Sequence, residues 1–125
     1  MDIVNWIIGP QLIGVIILSA GWIMIKYPPK KINYLYGYRT ESSMRNQQTW
    51  DEANRFSARL MVKIGCILIS VGLIFSLIFN ADILQPAIQN ILRPALLFIS
   101  SIASAVILIA VTQRHLEKTF PESKQ

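Results

Sequence analysis

The stretch IGCILISVGLIFSLIFNA, residues 64–81, carries no charged side chain over 18 positions and decides the fold class. Two further uncharged stretches flank it, with 23 residues at positions 3–25 and 20 residues at positions 94–113. A hydrocarbon core about 30 Å thick needs roughly 20 apolar residues at a helical rise of about 1.5 Å per residue. Each stretch is long enough to cross a bilayer, so the sequence predicts an all-α membrane protein with three transmembrane helices.

The composition agrees with this interpretation. Charged residues make up only 15% of the 125 positions and hydrophobic residues 53%, whereas a soluble domain has about 25% charged residues. The length suffices for one domain, so we expect a single membrane unit over 1–125 with spans at about 3–26, 60–80 and 93–113. The first stretch lacks a basic leader and a small-residue cleavage site, and we expect it to remain as a helix. Pro10 either bends this helix or starts it.

The basic residues predict the orientation in the membrane. Cytoplasmic loops are enriched in Lys and Arg, and eight of the 12 such residues fall in the stretch from Lys26 to Lys63: Lys26, Lys30, Lys31, Arg39, Arg45, Arg55, Arg59 and Lys63. Arg114, Lys118 and Lys124 follow the third span. We therefore expect the segment 27–59, here called the inner segment, and the C-terminus to be cytoplasmic. The N-terminus with Asp2 and the 80–93 connection should be outside. This placement explains the net charge of +5 without direct nucleic-acid binding.

The inner segment should contain an extended part followed by a helix. Its tyrosines at 34, 36 and 38 alternate with a period of two, which favours an extended chain. Ser42, Ser43 and Asn46 are N-cap candidates for a helix that begins near Gln47 and continues into the second span. At 100° per residue, this helix separates a packed face from a solvated face. The packed face holds Trp50, Ala53, Asn54, Ser57 and Leu60; the solvated face holds Gln48, Glu52, Arg55 and Arg59.

No arrangement typical of an enzyme or a metal protein is present in the sequence. There is no glycine-rich phosphate loop, no paired metal-ligand spacing and no nucleophile with an adjacent base. Cys66 and His115 are the single residues of their types, and both are assigned structural roles, His115 as a helix-end residue. We therefore predict no enzymatic activity, no metal and no cofactor.

Two explanations fit the polar and aromatic residues of the inner segment. Interfacial anchoring by aromatic rings and long cations accounts for Tyr34, Lys30 and Lys63. It accounts less well for Asn33, Asn54 and Arg39, which instead favour a polar pocket covered by the loop or a docking surface. The chemistry of the residues leaves both explanations open.

The string KINYLYGYRTESSMRNQQTWDEANRFSARL, residues 31–60, resembles the signature segment of the SdpI family of bacterial membrane proteins. The matching groups are Gly37-Tyr38-Arg39-Thr40, Ser43-Met44, Asn46, Thr49-Trp50 and Ala53-Asn54-Arg55. Many family members have proline after the threonine, where this chain has Glu41. The resemblance implies a three-span bacterial inner-membrane protein. The family's founding member gives immunity against a secreted peptide toxin and takes part in membrane signal reception. The resemblance therefore implies one of these roles for this chain, with a peptide toxin or a cytoplasmic repressor as the partner. The founding member is longer, with a further N-terminal membrane region.

The sequence-based hypothesis places a binding surface on nine residues of the inner segment: Asn33, Tyr36, Gly37, Tyr38, Arg39, Asn46, Trp50, Asn54 and Arg55. Arg55 also has an ion-pair explanation, because Asp51 and Glu52 lie one turn away. An alternative hypothesis makes the cluster a lipid-headgroup or small-anion site that serves envelope maintenance. Small residues four positions apart, as in Gly72 with Ser76, are suited to packing within the bundle or to a homodimer.

Overall fold

The computed structural model describes residues 3–121, so Asp2 and Lys124, which entered the charge argument, lie outside the described range. Between residues 3 and 121 the chain is all-helical as predicted, with no β-strand. The helices are α1 (Val4–Ile7), α2 (Pro10–Lys26), α3 (Gln47–Asn80) and α4 (Pro86–Thr119). By length and composition α3 and α4 can cross a membrane, and α2 is a shorter apolar helix.

The first apolar stretch is divided at Gly9 and Pro10. Gly9 is extended, and Pro10 occupies the first turn of α2, where its missing N–H costs no helical hydrogen bond. Pro10 therefore starts a helix and does not bend one. In place of an uninterrupted helix over 3–26, the chain has the four-residue α1 and a 17-residue α2. The length of α2 is about 26 Å at 1.5 Å per residue.

The long helix α3 begins where the sequence predicted it. The Asn46 side chain accepts the Thr49 backbone N–H, and the Thr49 hydroxyl accepts the Asn46 backbone N–H, so the two residues form a reciprocal cap. With 34 residues, α3 is about 51 Å long. This exceeds a hydrocarbon core of about 30 Å. The additional length is the polar and charged N-terminal part of α3, residues 47–63, which precedes the uncharged stretch 64–81.

The helix α4 begins at Pro86, seven residues before the boundary expected at 93. Pro86 stands in its first turn, and Pro94 lies inside the helix without ending it. The connection from α3 is correspondingly short, residues 81–85. The predicted span 93–113 is the apolar part of a longer helix that extends to Thr119.

The α2 and α3 helices pack closely through glycines spaced seven residues apart. A Cβ atom on Gly14 would lie 2.8 Å from the Gly65 carbonyl oxygen, and one on Gly21 would lie 2.8 Å from the Ala58 carbonyl oxygen. Seven residues are two helical turns, so each helix presents its small residues to its neighbour along one stripe. The four-residue spacings seen in the sequence do not predict this pairing.

The distribution of buried residues is the reverse of that in a soluble protein. The buried positions in the apolar parts of α3 and α4 are mostly small or polar, including Gly72, Ser76, Ser100 and Ser104. Large apolar side chains such as Ile74 and Ile102 point outward. Helices that pack in lipid gain little from hiding apolar side chains and instead place small and polar residues between them.

Candidate functional site

The chain between α2 and α3, residues 27–46, is here called the inner loop, and turns shape its first half. The Asn33 side-chain oxygen accepts the backbone N–H groups of Leu35 at 2.9 Å and Tyr36 at 2.7 Å. This turn replaces the extended chain predicted from the alternating tyrosines. It leaves Tyr34 82% exposed and Leu35 92% exposed at the tip of the loop. Arg39 donates to the Tyr34 carbonyl, and this contact closes the tip.

Asn54 connects the inner loop to α3. Its side-chain oxygen accepts the Tyr38 backbone N–H at 2.6 Å, and its amide nitrogen donates to the Trp50 carbonyl at 2.9 Å. Gly37 stands beside this contact with φ of +111°, and a Cβ there would lie 2.6 Å from the Asn54 oxygen. Glycine is therefore required both for the backbone angle and for the close approach. The buried amide predicted at Asn54 has its hydrogen-bond partners in the loop backbone and in its own helix.

Trp50 holds the start of the inner loop. Its side chain is fully buried, and the indole N–H donates to the Pro29 carbonyl at 2.7 Å. Pro29 also packs against Gly37. Trp50 thus fixes the turn that ends α2, next to the Gly37–Asn54 contact.

Gln113 on α4 connects the second half of the loop to the bundle. Its side-chain oxygen accepts the Tyr38 and Thr40 hydroxyls, each at 2.9 Å, and its amide donates to the Ser42 hydroxyl at 3.1 Å. Burial of the Tyr38 ring raises the pKa of its hydroxyl above the ordinary value of 10.0. Gln113 is not among the residues predicted from the sequence. In the sequence it is marked only by its position, as the amide next to Arg114 at the end of the third apolar stretch.

His115 forms a second connection between α4 and α3. Its Nε2 atom lies 2.8 Å from a Glu52 carboxylate oxygen, and its ring stacks on Phe56 with centroids 4.0 Å apart. The prediction of a helix-end residue missed this contact. Glu52 also lies 3.7 Å from Arg55, as the one-turn spacing predicted, whereas Asp51 accepts from Gln47. Within residues 3–121 no group of three His, Cys, Asp or Glu residues could hold a metal ion.

The nine predicted site residues fall into two groups. In the first group Tyr38, Trp50 and Asn54 are buried, Gly37 has the positive φ that the turn beside Asn54 requires, and the hydrogen bonds of Asn33 and Asn46 shape the loop and cap α3. The second group is Tyr36, Arg39 and Arg55, whose side chains are exposed, as is that of the capping residue Asn46, although the Tyr36 hydroxyl donates to the Tyr27 carbonyl at 2.6 Å. The first group holds the loop, and the second offers atoms to a partner.

A cleft of about 270 Å³ lies beneath the second half of the inner loop. We call it the loop cleft. Parts of α2, α3, α4 and the loop line it: Met24, Gly37, Tyr38, Arg39, Thr40, Ser57, Met61, Leu108 and Ile109. A polar pocket covered by the loop was one of the two explanations that the sequence left open. The cleft is covered by the loop, but most of its wall is apolar, with two methionines that adapt readily to different ligand shapes.

A second cleft, of about 340 Å³, lies where the end of α2 and the Pro28–Pro29 turn face the first turns of α3. We call it the basic cleft, since Lys30, Arg55 and Arg59 line it together with a single carboxylate, that of Asp51. Met24 contributes to both clefts, so they lie close to one another.

The opposite end of the bundle holds a polar cluster that was not predicted from the sequence. This outer cluster consists of Asn5, Gln11, Ser76 and Asn80. Gln11 donates to the Ser76 hydroxyl at 3.1 Å, and Asn5 donates to Asn80 at 3.3 Å. A Cβ on Gly72 would lie 2.2 Å from the Gln11 side-chain oxygen, so glycine makes room for this amide. The apolar composition of the first stretch concealed its two amides.

Comparisons with known proteins support the resemblance that the inner segment carries. The model of the SdpI/YfhL protein family matches residues 30–113. The chain is also similar to the uncharacterized protein YfhL of Bacillus subtilis (strain 168). The two are 38% identical over 104 residues, which cover 83% of this chain and 82% of that protein. No solved structure matches the chain.

Proposed function

The chain belongs to the SdpI/YfhL protein family, and from this premise we propose that it is a non-enzymatic immunity protein of the bacterial inner membrane. In this proposal α2, α3 and α4 all cross the bilayer, with the N-terminus outside and the C-terminus inside. Its activity is protection against a secreted peptide toxin. The toxin binds from within the membrane, in the loop cleft.

The observation that carries the proposal is the composition of the loop cleft. Its α4 wall is Leu108 and Ile109, and Met61 stands on α3, so an apolar side chain of a membrane-inserted peptide would be covered by apolar atoms. Arg39 and Thr40 supply polar groups at the loop side. The Thr40 hydroxyl donates to Gln113, but the Arg39 guanidinium has further N–H groups beside the one bonded to Tyr34, and a peptide backbone offers carbonyl groups to them.

The route into the cleft also supports a membrane-inserted ligand. Leu108 and Ile109 belong to the apolar part of α4, and the neighbouring Ile107 points outward. A peptide that lies in the inner half of the bilayer could reach the cleft without passing through water. In this view the buried hydrogen bonds of Trp50 and Asn54 hold the loop above the cleft, and Arg39 contacts the ligand.

The test is survival of a toxin-sensitive bacterium that expresses this chain, challenged with a secreted peptide toxin encoded near its gene. We expect protection from the natural chain, and we expect Leu108→Trp and Arg39→Ala to lose it at unchanged membrane levels. Ile107→Trp is the matched control, because it adds the same ring on the lipid-facing side of α4. Full protection by Leu108→Trp would exclude the cleft as the toxin site, and no protection by the natural chain would exclude immunity.

Membrane signal reception is the second candidate function, and the exposed tip of the inner loop favours it. Tyr34 and Leu35 offer an aromatic and an aliphatic side chain to a cytoplasmic partner such as a repressor. Tyr34→Ser combined with Leu35→Ser should release such a partner from the membrane fraction while Leu108→Trp retains it. Equal retention by both variants would argue against a docking role for the tip.

A further inference from the structure

The basic cleft combines an apolar floor with a charged rim. Met24, Ile25 and Ala58 form apolar surface at its base, where α2 meets α3. The charged side chains come from the Pro28–Pro29 turn and from α3: Lys30, Asp51, Arg55 and Arg59. A ligand that fills this cleft must therefore be apolar at one end and charged at the other.

The charges of the rim favour an anion. Asp51, Arg55 and Arg59 are four residues apart on α3, so each lies one turn, about 6 Å, beyond the last on the same face. Arg55 lies 3.7 Å from Glu52, a long contact at the surface. Within residues 3–121 no carboxylate lies within ion-pair distance of Lys30 or Arg59. Three cations against one lining carboxylate leave the cleft with an excess of positive charge.

The depth of the cleft fits the headgroup region of a bilayer. Arg59 stands five residues before the uncharged stretch 64–81, which is about 7.5 Å along the helix. Lys26, near the other wall, lies over the Trp22 ring at 4.9 Å, an arrangement typical of side chains at a membrane interface. Ile25, part of the apolar floor, is exposed along α2. An acyl chain could therefore continue from the cleft along α2.

We infer that the basic cleft binds the phosphate group of an anionic phospholipid from the inner leaflet. The planar guanidinium groups of Arg55 and Arg59 match the geometry of phosphate oxygens, and Lys30 adds a flexible donor at the rim. The upper part of the acyl chain covers Met24 and Ile25. Inorganic phosphate has the same charge chemistry but would leave this apolar floor uncovered. The site shares Met24 with the loop cleft but has its own charged rim, and it does not depend on the proposed immunity.

The experiment measures retained lipid by native mass spectrometry on the purified full chain, with phosphatidylglycerol compared against phosphatidylcholine. Each basic side chain near an anionic headgroup is worth about fivefold in affinity. We expect preferential retention of phosphatidylglycerol, weakened about 25-fold by the double variant Arg55→Gln, Arg59→Gln. The matched control is Arg114→Gln, Lys118→Gln, which removes equal charge from exposed positions at the end of α4. The control should retain phosphatidylglycerol as the natural chain does.

A second arm separates a lipid-borne phosphate from a soluble one. Millimolar inorganic phosphate should neither displace phosphatidylglycerol nor bind saturably to the chain. Saturable phosphate binding without lipid retention would overturn the lipid assignment. An equal loss of lipid in both double variants would overturn the site itself, because a general surface charge would then explain the binding.

Discussion

The inner and outer ends of this helix bundle both bury polar side chains, but they pair them differently. At the inner end, Asn54, Trp50 and Gln113 join the loop to α3 and α4 through bonds of 2.6–3.1 Å. Among the buried polar atoms there, the Thr112 hydroxyl lacks a partner within residues 3–121. At the outer end, four buried side-chain atoms lack partners within that range: Asn5 Oδ1, Gln11 Oε1, Trp6 Nε1 and Arg93 Nε.

This difference indicates what each group of polar residues contributes. A buried amide whose donors and acceptors are paired with loop backbone determines a conformation, because the loop has no other way to satisfy those groups. The outer amides lie between closely packed helix ends, where Gly72 makes room for Gln11. Hydrogen bonds between membrane helices contribute only about 0.6 kcal/mol on average. The inner bonds should therefore matter more for the site, and replacing one amide at a time by leucine tests this.

The largest effect is expected for Asn54→Leu. This change removes the acceptor of the Tyr38 N–H and places branched carbon atoms against Gly37, at an expected cost of about 2–3 kcal/mol. Thermal unfolding of the purified protein in detergent measures the loss, with the exposed Asn90→Leu as control. Unfolding midpoints that coincide for the two variants would contradict the role assigned to Asn54.

Gln113→Leu should have an intermediate effect. It leaves the Thr40 and Ser42 hydroxyls without their α4 partner, although these half-buried groups can reach water, and the buried Tyr38 hydroxyl keeps only the Ile109 carbonyl at 3.4 Å. We expect a loss of about 1–2 kcal/mol in the same assay. We also expect faster proteolysis within the inner loop, which limited trypsin digestion would detect at Arg39 and Arg45. A loop as resistant as that of the natural protein would show that α4 does not restrain it.

Gln11→Leu should change stability least among the three, by about 1 kcal/mol or less in either direction. The substitution removes an oxygen that has no partner, and it loses the bonds at 3.1 Å to Ser76 and 3.4 Å to the Asn5 carbonyl. Comparing its unfolding midpoint with that of Asn54→Leu shows directly at which end of the bundle the buried amide contributes more to stability. A loss as large as that of Asn54→Leu would remove the distinction between them.

The pH dependence of stability tests whether Tyr38 is buried at the inner end. Because burial raises the folded-state pKa of Tyr38 above 10.0, the folded state favours the neutral phenol. The stability that this pKa difference gives the folded state is fully present below about pH 10, the pKa of Tyr38 in the unfolded chain. It is lost as the pH rises through the higher pKa of the folded state. Tyr38→Phe should flatten the decline in unfolding temperature above pH 10. The exposed Tyr34→Phe should leave the curve unchanged, and equal curves for both variants would place the titration elsewhere.

Features that depend on residues close to one another in the sequence could be predicted. The cap at Asn46, the helix from Gln47 and the buried face with Trp50 and Asn54 follow from short-range rules of capping and periodicity. The partners of that face could not be predicted in the same way. Gln113 is more than 70 positions from the loop residues it contacts, and the seven-residue glycine pairing of α2 with α3 becomes apparent only when the two helices are aligned.

The proposed function and the proposed lipid site both require the inner loop to lie on the cytoplasmic side of the membrane. In a Cys66→Ser background, Tyr34→Cys and Ile83→Cys place a single thiol at the loop tip or at the α3–α4 connection. A membrane-impermeant maleimide applied to intact cells should label the cysteine at position 83 and spare the one at position 34 until the membrane is permeabilised. Labelling at position 34 in intact cells, with position 83 protected, would reverse the orientation and contradict the account.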